Sequence, residues 1–379
     1  MSWVTGVGLT SFGRHEGKSA LDLMALAATA ALEDAGLARR NVDGLVCGYA
    51  TTMPHIMLAT LFAEHFGVQP RYAHAVQAGG ATGFALIMLA HLVVAGGAAD
   101  HVLVAAGENR LSGQTRDMTL QTLAQAGHAR YEVPLGATVP AYYGLVASRY
   151  MHEFGTTERD LAELAVLMRR HAGSHSGAQL RAAMTVDDVL ASPPVALPLK
   201  RMDCCPISDG AAAFIISREP LSAHSLRIIG TAQRHSHQHV SAAADLAHYG
   251  AKDSMARAMA QAGVELRDVG YAAIYDSFTI TLAILLEEIG LCARGQAGQA
   301  AAAGRFSADG ELPLNTHGGL LSYGHCGVAG ALAHLAEAHL QMTRRAGARQ
   351  TAREPAVAML HGDGGIMSSH ISLILERTR

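Results

Sequence analysis

This chain has little that would tie it to a nucleic acid, a membrane or an oxidising compartment. Its 29 Lys and Arg are balanced by 32 Asp and Glu, a formal net charge of -3, which gives no electrostatic case for nucleic acid. Apolar runs such as Phe84 to Gly96 fall short of a membrane span and include His91. The start, Met1-Ser2-Trp3-Val4-Thr5-Gly6, lacks the basic residues and long apolar core of a signal peptide. Cys47, Cys204, Cys205, Cys292 and Cys326 form no C-x-x-C pair and no even framework, as expected of a reduced protein. The 21 histidines show no paired metal spacing. These absences set the expectation of a soluble cytoplasmic protein without a metal site.

What is present is small-residue and periodic. Half of the 379 residues are apolar, only 5% are aromatic, and 40 are glycine, a balance that favours closely packed helices and tight loops. The length allows two domains or one duplicated fold. Two echoes point to duplication. Ala30 to Leu37 followed by Val42 to Val46 matches Ala258 to Val264 followed by Val269 to Ala273, each a helix stopped by glycine, then a turn, then a buried strand. Gly80-Ala81-Thr82-Gly83 and Gly327-Val328-Ala329-Gly330 each open an alanine-rich helix, Phe84 to Val94 and Ala331 to Met342. The division falls near residue 225, giving halves 1–225 and 226–379. Ser19 with Asp22, Thr157 with Asp160 and Thr185 with Asp188 predict capped helix starts. Strands alternate with helices in both halves, which implies an α/β layered fold. Residues 108–150 break that rhythm and read as an inserted loop region.

Three loops carry the chemical signal. One is Ile274-Tyr275-Asp276-Ser277-Phe278-Thr279. The second runs from Asn315-Thr316-His317-Gly318-Gly319 to Ser322-Tyr323-Gly324-His325-Cys326-Gly327, and the third is Val76-Gln77-Ala78-Gly79-Gly80-Ala81-Thr82-Gly83. With Asp203-Cys204-Cys205-Pro206-Ile207-Ser208-Asp209-Gly210 and Leu360-His361-Gly362-Asp363-Gly364-Gly365, they resemble the thiolase superfamily over nearly the whole length. The likeness is to its sterol-carrier-protein-type thiolases and the lipid-transfer-protein-like aldolases that degrade steroid side chains. The resemblance implies a thiolase fold, a duplicated five-layer α-β-α-β-α architecture, and a homodimer. It also implies a small OB-fold and zinc-ribbon partner supplied in trans. Coenzyme A is expected as part of the substrate, with no cofactor bound in the chain.

A thiolase of this kind takes its acyl group on a cysteine thiolate. Here the resemblance puts Gly80 at that position, Tyr275 where Asn or His begins an oxyanion motif, and Cys326 where proline follows His325. It puts His361 or Gly362 near the place of a second cysteine. Glycine cannot accept an acyl group, so ordinary thiolysis through position 80 is excluded. A retro-aldol cleavage of a bulky β-hydroxyacyl-CoA, of steroid side-chain or aromatic acyl type, needs no acyl-enzyme. Its proton transfers suit tyrosine, so Tyr275 and Tyr323 are the expected acid/base pair. His325, with backbone N–H groups around Gly80, is expected to hold the thioester oxygen. Asp276 is expected to orient a loop, and Gly318, Gly319 and Gly364 to let backbone approach the reacting centre. Two alternatives stand beside this reading: an acyltransferase or thiolase using Cys326 as a displaced cysteine, and a non-catalytic acyl-CoA-binding subunit; His361 is a further candidate catalytic residue.

Overall fold

Gly36 and Gly263 close their helices in the left-handed conformation, with φ of 63° and 69°, and each hands the chain to a strand. From that alternation the computed structural model, which describes residues 1–378, builds eleven strands and eleven α-helices among the described residues. The strands are β1 (Ser2–Leu9), β2 (Gly44–Gly48), β3 (Tyr72–Val76), β4 (His101–Asn109), β5 (Pro194–Ala196), β6 (Leu199–Lys200), β7 (Asp209–Ser217), β8 (Leu226–His235), β9 (Tyr271–Ile274), β10 (Val357–Gly364) and β11 (Ser369–Arg377). The helices are α1 (Ala20–Ala35), α2 (Leu58–Phe66), α3 (Thr82–Ala95), α4 (Arg116–Ala124), α5 (Val139–Phe154), α6 (Glu158–Gly173), α7 (Val186–Ala191), α8 (Ala251–Ala262), α9 (Thr279–Ile289), α10 (Ala297–Ala302) and α11 (Gly330–Met342).

Nine strands form one mixed sheet in the order β3-β2-β4-β7-β1-β8-β11-β10-β9, and β5 and β6 form a separate hairpin. The seam between β1 and β8 is only three residue pairs, Ser2–Ile228, Trp3–Arg227 and Val4–Leu226. Outward from it the same path appears twice. On one side β1 meets β7, then β4, β2 and β3; on the other β8 meets β11, β10 and β9, with an isolated parallel bridge from Ala272 to Leu314 beyond. Helix α3 touches strands of both half-sheets, and so does α11, so this pair lies between them. Helices α1 and α2 cover the outer face of one half and α8 that of the other.

The central layer follows from composition. A helix apolar on all sides must be buried, and α3, Thr-Gly-Phe-Ala-Leu-Ile-Met-Leu-Ala-His-Leu-Val-Val-Ala, buries Phe84, Leu86, Ile87, Val93 and Val94 on several faces. Gly83 permits the close crossing, since a Cβ there would lie 2.9 Å from Leu332 Cγ and 3.0 Å from Leu332 N on α11. The capping boxes at Ser19, Thr157 and Thr185 all form.

The stretch 108–150 differs from the expected loop region. It carries α4, capped by Thr115 on Met118 N (3.2 Å), and most of α5. In α5 the residues Tyr142, Tyr143, Val146, Ala147 and Tyr150 are buried. That is one helical face, masked in the sequence by its polar and glycine-rich approach. No helix among the described residues is long and apolar enough to cross a membrane.

Candidate active site

Strand β9 ends by delivering Tyr275 into the interior, and backbone pairing fixes how. Tyr275 N–H donates to the His361 carbonyl (2.9 Å), while Asn315 brackets Ile274, accepting from its N–H (2.9 Å) and donating to its carbonyl (2.7 Å). The next side chain, Asp276, is fully buried. It accepts from Leu320 N–H (2.7 Å) and Leu321 N–H (3.4 Å), and His334 Nε2 lies 3.2 Å from it. Burial pushes its carboxyl up from the usual range. Asp276 thus pins the single π turn Gly319–Tyr323 to β9. Gly319, at φ 59°, has no room for a side chain, because a Cβ would lie 2.6 Å from Asp276 Cγ. Gly318, at φ 106°, packs as closely on Ala172.

The same loop presents His325. Its backbone N–H reaches Ser208 Oγ (3.0 Å) and the Pro206 carbonyl (3.2 Å), which locks the residue against the segment before β7. Its Nε2 lies 2.8 Å from the Tyr275 hydroxyl. Gly327 N–H donates to Nδ1 (3.0 Å), so in the neutral ring the proton sits on Nε2 and is donated to the Tyr275 oxygen. That leaves the phenolic O–H free for another acceptor. Both groups are held neutral. Burial, then the Arg110 guanidinium, pushes His325 down to about 3, and burial pushes Tyr275 well above the usual phenol range.

Gly80 lies directly against this pair. A Cβ built on it would overlap the Tyr275 hydroxyl and lie 2.5 Å from both Tyr275 Cζ and the Asp363 carbonyl oxygen. Tyr275 in this pose and a side chain at position 80 are mutually exclusive. The opposing wall is the end of β10 and the turn that follows it. Gly364 packs against the Ala78 carbonyl, and a Cβ on Gly79, at φ 58°, would lie 3.2 Å from Gly364 Cα. Between Gly362 and Gly364, Asp363 turns its side chain to the other face of β10, where Oδ2 accepts a hydrogen bond from Tyr143 of α5 (3.0 Å). Tyr143 in turn stacks on Phe278, ring centroids 4.4 Å apart.

Family models decide what this arrangement belongs to. Residues 3–220 match the thiolase N-terminal domain and residues 232–377 the thiolase C-terminal domain-like family. The chain belongs to the thiolase superfamily. An acetyl-CoA acetyltransferase of Methanothermobacter thermautotrophicus is 31% identical, over 97% of this chain and 98% of that protein. A steroid side-chain-cleaving aldolase of Thermomonospora curvata is 33% identical, over 87% of this chain and 88% of its own. The solved Ltp2-ChsH2(DUF35) aldolase superposes with a TM-score of 0.86 at 28% identity, covering 99% of this chain and 97% of that one. The α/β layers around α3 and α11 are therefore the thiolase fold.

Within this thiolase-superfamily site the expected residues are divided. Tyr275, His325, Gly80 and Gly364 come together, and Asp276, Gly318 and Gly319 form the loop that holds them. Tyr323 does not join them. Its hydroxyl donates to the Thr10 carbonyl (3.3 Å), and its ring packs on Phe12, His175 and His317, with no hydrogen bond or ring contact to Tyr275 or His325. His361 contributes only its carbonyl, because its ring pairs with Ser372 Oγ (2.8 Å) and His370 Nδ1 (3.2 Å) inside the sheet layer. Cys326 is fully buried, and burial, reinforced by the carboxylate of Glu108, pushes its thiol well above the usual range.

Sequence reasoning missed Asp363, Tyr143 and Arg110. Arg110 pairs with the fully buried Glu108 at the end of β4 and donates to Thr51 Oγ1 (3.0 Å). Its positive charge reaches Tyr275, His325 and Cys326. Asp363 was legible as a lone carboxylate in an apolar, glycine-rich strand; Tyr143 and Arg110 lay in the stretch read as a loop. Among the described residues, no group of three or more His, Cys, Asp or Glu is arranged to hold a metal ion.

Proposed function

We propose that this thiolase-superfamily chain cleaves a C–C bond by a retro-aldol reaction in a bulky β-hydroxyacyl-CoA, without a covalent acyl-enzyme. The observation that carries the reading is the Tyr275 hydroxyl, hydrogen-bonded to His325 at 2.8 Å and filling the space over Gly80. In this reaction the β-hydroxyl loses its proton and its oxygen forms a carbonyl. The Cα–Cβ pair then moves into a thioester enolate, which is protonated at Cα. Neutral Tyr275, braced by the Nε2 proton of His325, donates its hydroxyl proton in a hydrogen bond to the enolate oxygen as charge develops there. The steroid side-chain-cleaving aldolase and the Ltp2-ChsH2(DUF35) aldolase among its relatives support the reaction class, and the first supports a steroid-type acyl chain. Coenzyme A enters as part of the substrate. The solved aldolase is named for two components, Ltp2 and ChsH2(DUF35), which supports a second chain here. A small OB-fold and zinc-ribbon protein is proposed for that role, beside a homodimer.

Acetyltransferase relatives favour a second reading, acyl transfer through a displaced cysteine. A buried thiol with a raised pKa is a poor thiolate source, which weighs against Cys326. The test supplies a bulky β-hydroxyacyl-CoA in one reaction and the matching β-ketoacyl-CoA with free CoA in another. Cleavage of the hydroxy substrate alone, reduced about 10²–10³-fold in Tyr275→Phe, is expected. CoA-dependent cleavage of the keto substrate overturns the proposal.

A further inference from the structure

His325 must hold its Nε2 against the Tyr275 oxygen, yet the backbone that carries it has little stiffness of its own. Gly324, at φ 132°, and Gly327, at φ 64°, flank it in conformations that favour glycine. The restraint comes from outside the loop. Between α6 and α7 the chain runs beside the π turn as a short ladder, with Gln179 N–H on the Tyr323 carbonyl and Leu180 N–H on the Ser322 carbonyl (3.0 Å each). From that ladder the Gln179 amide reaches the segment that brackets His325. Its Nε2 donates to the Ile207 carbonyl (3.2 Å), and its Oε1 accepts from the Ser208 hydroxyl. Ser208 Oγ accepts in turn from His325 N–H (3.0 Å), and Ser208 N–H donates to the His325 carbonyl (3.1 Å).

We propose that Gln179 is a positioning residue for His325, acting through the Ser208 hydroxyl to hold the imidazole against Tyr275. The inference rests on the Tyr275–His325 reading of the site given above. A hydroxyl has one proton and a free rotor, so its partners decide which way it points. The Ile207 carbonyl can only accept, so it takes the Gln179 amide nitrogen and turns Oε1 toward Ser208. Oε1 can only accept, so it takes the Ser208 proton. The lone pairs left on Oγ then face the His325 N–H, and each bond sets the direction of the next. Ser208 is fully buried, so bulk water does not compete for its proton. Gly324 belongs to the same device, because a Cβ there would overlap Ser208 Oγ and lie 3.1 Å from Gln179 Oε1. Gln179 itself bonds neither Tyr275 nor the His325 ring, so its effect passes through the backbone. Without the amide, Ser208 is free to turn its proton toward the His325 N–H and lose that bond. A displacement of about 1 Å in a positioned group lowers a rate on the order of 10²-fold.

The test uses two readouts on the full chain: turnover of the hydroxyacyl-CoA, and, without substrate, the magnetic resonance of the His325 Nε2–H proton. The second uses isotopically labelled histidine and is assigned by its loss in His325→Asn. Gln179→Met keeps the backbone ladder and removes the acceptor. It is expected to lower kcat on the order of 10²-fold with KM changed no more than a few-fold, and to move the Nε2–H resonance at a nearly unchanged melting temperature. Gln179→Ala repeats the measurement should methionine crowd the ladder and lower the melting point. Ser208→Ala is expected to match Gln179→Met, and the double variant to do no worse than either, since both break one link. Gln179→Glu keeps an acceptor for Ser208 and is expected to hold turnover within a few-fold of wild type. Wild type that leaves the hydroxy substrate uncleaved, with a resonance that still moves in Gln179→Met, would sink the retro-aldol reading and support the positioning role. Wild type without the resonance, an unmoved resonance in Gln179→Met, near-wild-type turnover there, losses that add in the double variant, or an equal loss in Gln179→Glu overturns the assignment.

Discussion

The two central helices occupy matching places and are built differently. Buried α3 is apolar apart from Thr82 and His91, whereas α11 buries His334, Glu337, His339 and Gln341. The difference follows from the loops ahead of them. The loop before α3 brings only backbone to the site, Gly79 and Gly80, and Thr82 suffices to close it through Gly79 O (2.6 Å) and Ala78 N (2.9 Å). The loop before α11 must aim side chains. Thr316 is tied to Glu337 (2.7 Å), Gln341 donates to both (2.9 Å each), and His334 lies beside Asp276. A satisfied buried polar network costs stability when broken but fixes one geometry. Chemistry on a loop therefore appears as polarity in the helix behind it.

The largest test of this contrast is acid. His171 and His370 are pushed down to about 4, His339 to about 3, and His317 and His361 well below the imidazole range, all by burial first. Unfolding lets each recover its ordinary value near 6.5. The unfolded chain then binds more protons, so stability is full above about 6.5 and is lost as pH falls through about 4. A melting series across that range should fall steeply, with hydrogen exchange rising first around α11, β10 and β11. Uniform loss including α3 would break the contrast.

Next in size, Arg349→Met strips Glu337 of its guanidinium partner at 2.9 Å and should cost about 3–5 kcal/mol. Leu86→Ala in α3 should cost a similar ~2–5 kcal/mol. Only the first should also lower activity well below its melting point, because Glu337 belongs to the network that holds Thr316 in the His325 loop. Gly80→Ala is smaller, about 1–3 kcal/mol from overpacking against Tyr275, with activity lost as the hydroxyl is displaced. Tyr323→Phe should be smallest: its long hydrogen bond to Thr10 contributes about 1 kcal/mol or less, and turnover should change by no more than a few-fold. A loss as large as that of Tyr275→Phe would return Tyr323 to the chemistry.

Much of this was legible in the chain. The glycine stops after α1 and α8, the capping boxes and the apolar runs of α3 and α11 are local, so they gave the layers. The Tyr275 and His325 loops, and the pinning role of Asp276, were readable as motifs. What stayed hidden depends on distant pairing. Tyr143 gains meaning from Asp363, 220 residues away. Arg110 gains it from burial beside Glu108, and Tyr323 loses its expected role because its ring turns toward Phe12. No periodicity records which face of a loop meets which strand.

The central claim is that Tyr275 over Gly80 works without an acyl-enzyme. Intact-protein mass spectrometry of the enzyme, quenched during turnover of a bulky β-hydroxyacyl-CoA, tests it most directly. The account predicts an unmodified protein mass while ketone or aldehyde product accumulates. A mass increase equal to the acyl group, mapped to Cys326 or any other residue, would contradict it.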